Sequence, residues 1–228
     1  MSELFHFIWI SLAGIVLISV AEWMYHTQKV HVEITRKIVH IGSGLLALLL
    51  PVYIHNQWLV LLMCGLAQLV LVISINRGFL KSINAVKRKS YGSILFPMVV
   101  YLVYLAWYYS GSRQDEVVQS YAYFQLPILI LALCHPLANW IGLYYPIIKF
   151  KHQNKSLGGM LAFWSLAFLL SCIILLATHL FNTKDITWVA IFIATLTTTT
   201  EIYSKKGFSN LFIPVVVLLA LYVVEYFF

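Results

Sequence analysis

The sequence predicts an all-α fold: a polytopic integral membrane bundle of about eight transmembrane helices, with both termini outside. Three observations carry this reading. Of 228 residues, 61% are hydrophobic and only 10% charged, whereas a soluble domain carries about 25% charged residues. The apolar residues come in solid blocks about 20 residues long, enough to cross the ~30 Å hydrocarbon core as a helix. The basic residues gather at every second junction between blocks. The loops are too short for a second domain, so 1–228 reads as a single transmembrane domain.

The expected spans lie near 4–25, 36–54, 58–75, 93–109, 122–147, 157–180, 187–203 and 210–228. The first block, LFHFIWISLAGIVLISVAEWMY, lacks a basic leader and a small-residue cleavage site, so it reads as a retained helix. Cys64, Cys134 and Cys172 fall inside apolar blocks without CxxC spacing and read as small buried hydrophobes. Thirteen of the fifteen Lys and Arg sit on one set of alternate junctions, from Lys29, Arg36 and Lys37 through Arg77 to Lys89, then Lys149 to Lys155, then Lys205 and Lys206. Only Arg113 and Lys184 lie on the other set. Positive residues favour the cytoplasmic side. The split therefore supports eight spans and places four basic junctions inside. It also accounts for the formal charge of +7 by topology, and no nucleic-acid partner is expected.

Polar groups inside an apolar run are costly, and five polar stretches stand out, almost all at the basic junctions. In EITRKIVHIGSG, Arg36, His40 and Gly44 are four apart and stack on one helix face, with Lys37 beside His40. They read either as an anion site or as a snorkelling basic flank with one packing histidine. In KRKSYGSILFP, three cations, Arg88 among them, precede Tyr91 at the start of the fourth span, as an interfacial anchor would. In LALCHPLANWIGLYYP, His135, Asn139 and Gly142 share a stripe with Ala138 between them. That face suits close contact with another helix or a ligand, and Pro136 should kink the span or free a carbonyl. In KSLGGMLAFW, Lys155, Ser156 and Gly159 open the sixth span, either as a phosphate-favouring helix start or as a cap with small packing residues. In TLTTTTEIYSKKGFSNLFIP, Glu201 has Lys205 one turn on, so an ion pair is the plain expectation, and Asn210 and Pro214 start the last span. Threonine hydroxyls in the run can bond back to the preceding turn.

Together the five stretches resemble, in order along nearly the whole chain, the phytol kinase and dolichol kinase family. RKIVHIGSG resembles that family's Arg-Lys-x-x-His-x-x-x-Gly element, and KSYGSILFP its Tyr-Gly-x-x-x-Phe-Pro element. HPLANWIG matches Asp-x-x-Ala-x-x-x-Gly at Ala138 and Gly142. KSLGG matches Lys-Ser/Thr-x-Glu-Gly at Lys155, Ser156 and Gly159. EIYSKKGFSNLFIP matches at Glu201, Gly207, Asn210 and Pro214. Three acidic positions of the pattern are replaced, by His135, Gly158 and Ser209.

The resemblance implies CTP-dependent phosphorylation of a long-chain isoprenoid or lipid alcohol at the cytoplasmic face, with Mg²⁺ and CTP as cofactors. Arg36, Lys37, Arg88, Tyr91, Lys155, Ser156, Gly159 and Asn210 would bind nucleotide phosphates. His135 or His40 would take the alcohol proton, and Glu201 would be the surviving metal ligand. Mg²⁺ prefers carboxylate oxygens, so the three replacements open a second reading: a catalytically degenerate homologue that binds a lipid or a membrane partner. A phosphatidate cytidylyltransferase-like nucleotidyltransferase is a further alternative. The expected location is the bacterial inner membrane, with the site facing the cytoplasm.

Overall fold

In lipid every backbone polar group must be satisfied within its own segment, and the chain meets that demand with helices. The computed structural model describes residues 2–86, 90–110, 120–150 and 155–227. Eight helical segments in it are long and apolar enough to cross a membrane: Glu3–His26, Val32–Tyr53, Gln57–Arg77, Gly92–Ser110, Ala122–Tyr144, Leu157–Thr178, Thr183–Tyr203 and Ser209–Phe227. They coincide with the eight expected blocks. The fold is thus an all-α polytopic bundle, and the even number of spans puts both ends of the chain on one side of it.

Two boundaries move. The second span starts at Val32 rather than near 36, because the His31 ring accepts a hydrogen bond from the Glu33 N–H at 3.3 Å and caps the helix. Arg36 and Lys37 therefore lie within the helix, on its second turn. The seventh span starts at Thr183, four residues earlier than the hydropathy suggests. A short apolar helix, Leu50–Tyr53, completes the second span after a turn. Another short helix, Lys81–Asn84, is pinned from both sides. Glu22 accepts from the Ser82 N–H at 2.8 Å, and the Ser82 carbonyl accepts from Thr35 Oγ1 at 2.7 Å.

The fifth span is the axis of the molecule. Half of its apolar window is buried, against 11% for the first span, which faces outward along most of its length. One side of the fifth span, through Leu126, Ile130 and Cys134, packs with Phe163, Ile193 and Val217 of spans six to eight. The other side, through Phe124, Ile128 and Leu131, packs with Val60, Val99 and Tyr104 of spans three and four. Two apolar cores thus share one helix. The threonine run of span seven is accommodated as expected: Thr197, Thr199 and Thr200 bond back to the carbonyls of Ile193, Thr195 and Leu196.

Midway, the fifth span changes register. Ile130–Cys134 form a π-helical turn immediately before His135–Tyr144 resumes the α register. Pro136 explains it. Proline has no N–H, so the carbonyl five residues back, Leu131, lacks its π-register donor. His40 of the second span takes that place, its Nε2 3.0 Å from the Leu131 oxygen. The freed carbonyl expected from Pro136 is there, and it ties two spans together.

A cationic cavity at the basic end

The four basic junctions converge on a cavity of about 440 Å³. Its wall includes Arg36, Lys37, His40, His135, Asn139, Lys155 and Asn210, which were expected to act together, and also Glu33, Ser90, Lys205 and Lys206. They arrive from several elements. Arg36, Lys37 and His40 come from one face of the second span. His135 and Asn139 follow the π turn of the fifth. Lys155 precedes the sixth span, where residues 155–157 pair with 148–150: the Phe150 N–H reaches the Lys155 carbonyl at 3.0 Å and the Leu157 N–H reaches that of Ile148 at 2.8 Å. Lys205 and Lys206 ride on the turn between spans seven and eight.

That turn is fastened to the start of span four. The Tyr91 N–H donates to the Lys206 carbonyl at 2.9 Å, Asn210 Nδ2 donates to the Gly92 carbonyl at 2.8 Å, and the Tyr91 and Phe208 rings meet edge to face. Arg36 reaches the same place and donates to Ser90 Oγ at 2.8 Å. Asn210 is 5% exposed, and its Oδ1 has no partner. Since Gly92 presents an acceptor, Nδ2 must face it, which fixes Oδ1 as the orphan atom.

Behind two of the lining residues, His135 and Lys155, sits a buried carboxylate. Glu201 is 4% exposed. Its Oε2 lies 2.9 Å from His135 Nδ1, and its Oε1 accepts from Lys155 Nζ. An ionised carboxylate only accepts, so His135 carries a proton on Nδ1; in the neutral ring that leaves Nε2 as the acceptor, 3.4 Å from Asn139 Nδ2. The His40 ring stands 5.9 Å away, centroid to centroid. The expected Glu201–Lys205 pair is corrected here. The helix ends at Tyr203, so Lys205 is no longer one turn along the same face, while Glu201 points into the core toward Lys155.

Other expected site residues do different work. Ser156 accepts from the Gly159 N–H at 3.3 Å and caps the sixth span. The Leu157 and Gly158 N–H groups donate to Ile148 and Pro146, so that helix start has no free N–H to offer a phosphate from its first three residues. Gly159 lets spans five and six touch: a Cβ there would lie 2.6 Å from the Ala138 carbonyl oxygen and 3.2 Å from Gly142 Cα. Ala138, Gly142 and Gly159 are therefore one helix crossing, beside the cavity. Tyr91 is half-exposed and serves the clamp. Arg88 lies outside the described residues. Glu22, an acid near this end, is engaged with Ser82 and His26.

The resemblance implies Mg²⁺, and the donor set does not fit it. Mg²⁺ takes oxygen ligands in near-octahedral array, usually one or two carboxylates with phosphates. Both oxygens of Glu201 already serve nitrogen donors, one of them an ammonium. Among the described residues, no three His, Cys, Asp or Glu side chains are grouped to hold a metal ion. What the arrangement can do is neutralise an anion and accept a proton at His135 Nε2.

The fold and this site define a polytopic helical membrane protein with a cationic cavity at one end. No family model, curated protein or solved structure matches the chain.

Proposed function

We propose that the protein is a phytol- or dolichol-kinase-like membrane protein that receives the phosphates of a nucleotide, CTP by resemblance, and the hydroxyl end of a long-chain isoprenoid or lipid alcohol. In this reading the cavity faces the cytoplasm of a bacterial inner membrane, and the positive-inside bias supports that orientation. One observation carries the reading: Arg36, Lys37, Lys155, Lys205 and Lys206 line one cavity together with His135, whose far ring nitrogen is bonded to Glu201 behind the wall. Clustered cations suit a polyphosphate, and desolvated charge is stronger there than in water. A histidine oriented by a carboxylate is the arrangement a general base requires.

In this reading the alcohol oxygen attacks the terminal phosphorus and the bond to the bridging oxygen breaks, releasing the nucleoside diphosphate. The alcohol proton passes to His135 Nε2. Arg36 and the lysines carry the charge of the transferring group. Glu201 holds His135 in the required tautomer and does not itself touch substrate.

A second reading has its own observation. Glu201 is engaged by Lys155 and His135, and among the described residues no carboxylate cage stands beside it, so the chain would bind the ligand without turning it over. Purified protein in lipid nanodiscs, titrated with CTP and ATP and assayed on phytol and a polyprenol, separates the two. Binding with transfer supports the kinase reading, and binding without transfer supports the second. No binding of either nucleotide at millimolar concentration overturns the nucleotide site.

A further inference from the structure

We propose that the cavity binds its phosphate-bearing ligand without a divalent cation, the Lys155 ammonium, held by Glu201, supplying the fixed positive charge. The inference rests on the reading of the cavity as a phosphate site and deepens it.

The first support is the Glu201 triad. A divalent ion at this carboxylate would share its two oxygens with an ammonium already on Oε1 and an imidazole already on Oε2, and would meet the repulsion of that ammonium. The ammonium is covalently tethered, so it is present at every encounter and costs no association entropy. The carboxylate that lines the wall, Glu33, sits on the first turn of the second span at three- and four-residue spacing from Arg36 and Lys37. It stands among cations rather than beside a second acid.

The second support is independent and lies in the backbone. The 144–157 connection is built around the absence of a side chain at position 158. A Cβ on Gly158 would stand 1.9 Å from the Tyr145 carbonyl oxygen and 3.2 Å from its carbon, and the Gly158 N–H is bonded to Pro146. No acidic residue can occupy this position unless the connection that delivers Lys155 moves. A carboxylate at position 158 is therefore excluded while this close approach is kept. A metal-binding site would need the reverse.

The ligand chemistry is a terminal phosphate group, whether on a nucleotide or on a lipid headgroup. The full chain is titrated with CTP in detergent, and separately reconstituted in nanodiscs with and without phosphatidate and titrated with CTP as competitor, each in millimolar Mg²⁺ or in EDTA. The expected result is an affinity in EDTA no worse than about threefold below that in Mg²⁺. A loss of about tenfold or more on chelation overturns the inference while leaving the phosphate site standing. Binding of CTP identifies a nucleotide, and binding confined to phosphatidate identifies a headgroup. No binding of either probe in either buffer overturns the phosphate reading and this inference with it. Lys155→Ala is expected to bind at least about tenfold more weakly in EDTA, with Mg²⁺ restoring part of the loss because Glu201 is then open. Undiminished binding by Lys155→Ala in EDTA contradicts the proposal. Should that variant misfold, Lys155→Arg, which keeps the charge, must retain EDTA-insensitive binding.

Discussion

His135, alone in a long apolar run, is explained by what stands behind it. Its Nδ1 and the Lys155 ammonium satisfy both oxygens of Glu201, and no charge in this group is buried unpaired. Removing one partner of a buried pair leaves the other uncompensated, at about 3–5 kcal/mol for full burial. Lys155 and His135 keep some solvent contact, so Glu201→Gln is expected to cost less, about 1–3 kcal/mol. Thermal unfolding in detergent would measure it, and an unchanged midpoint would deny the triad any structural weight. Gly158 makes a second test at this scale. Adding a methyl group against the Tyr145 carbonyl should destabilise Gly158→Ala by about 1–3 kcal/mol. A variant as stable as the parent would mean that the connection tolerates side chains there.

At the scale of elements, the fifth span couples packing to the site. Its π turn exists because Pro136 withholds a donor, and His40 exploits the acceptor that is left over. Pro136→Ala restores an N–H, which would compete for that acceptor and favour an unbroken helix. The expected outcome is a more stable span together with CTP binding weakened about three- to tenfold, roughly one lost hydrogen bond. Binding unaffected by the change would show that the His40–Leu131 contact does not shape the cavity. The turn between spans seven and eight is the other element that matters, since Asn210 and the Lys206 carbonyl fasten it to the start of span four. Loosening it should move Lys205 and Lys206 away from the cavity.

At the scale of the molecule, eight spans and a basic end were legible in the sequence, because hydropathy and lysine–arginine placement act over whole segments. Helical spacing made the shared face of Arg36 and His40 legible, while their grouping with His135 and Lys155 was an expectation from the family resemblance alone. The partner of Glu201 was not legible: spacing along one helix favours Lys205, and only the pairing of residues 155–157 with 148–150 brings Lys155 within reach. Nor was the packing role of Ser156, Gly158 and Gly159, since a cap with glycines and a phosphate-binding helix start look alike until the N–H partners are known. Lys206 and Ser90 gave no signal beyond charge and polarity, because their place in the cavity depends on the clamp. The orientation has a direct check. Cysteines placed at Lys29 and Asn182, both exposed, should react with an impermeant thiol reagent from opposite sides of the membrane. Labelling of both from the same side would break the eight-span arrangement.

The central claim is that an anionic, phosphate-bearing ligand occupies the cavity at the basic end. It is tested most directly by equilibrium binding of CTP to the wild-type chain and to Arg36→Ala/Lys205→Ala/Lys206→Ala, in the same nanodiscs and across a salt series. The account predicts saturable wild-type binding that weakens as salt screens the cavity, and a loss of at least about tenfold in the triple variant at unchanged folding. Equal binding by both proteins, or none by the wild type, would contradict it.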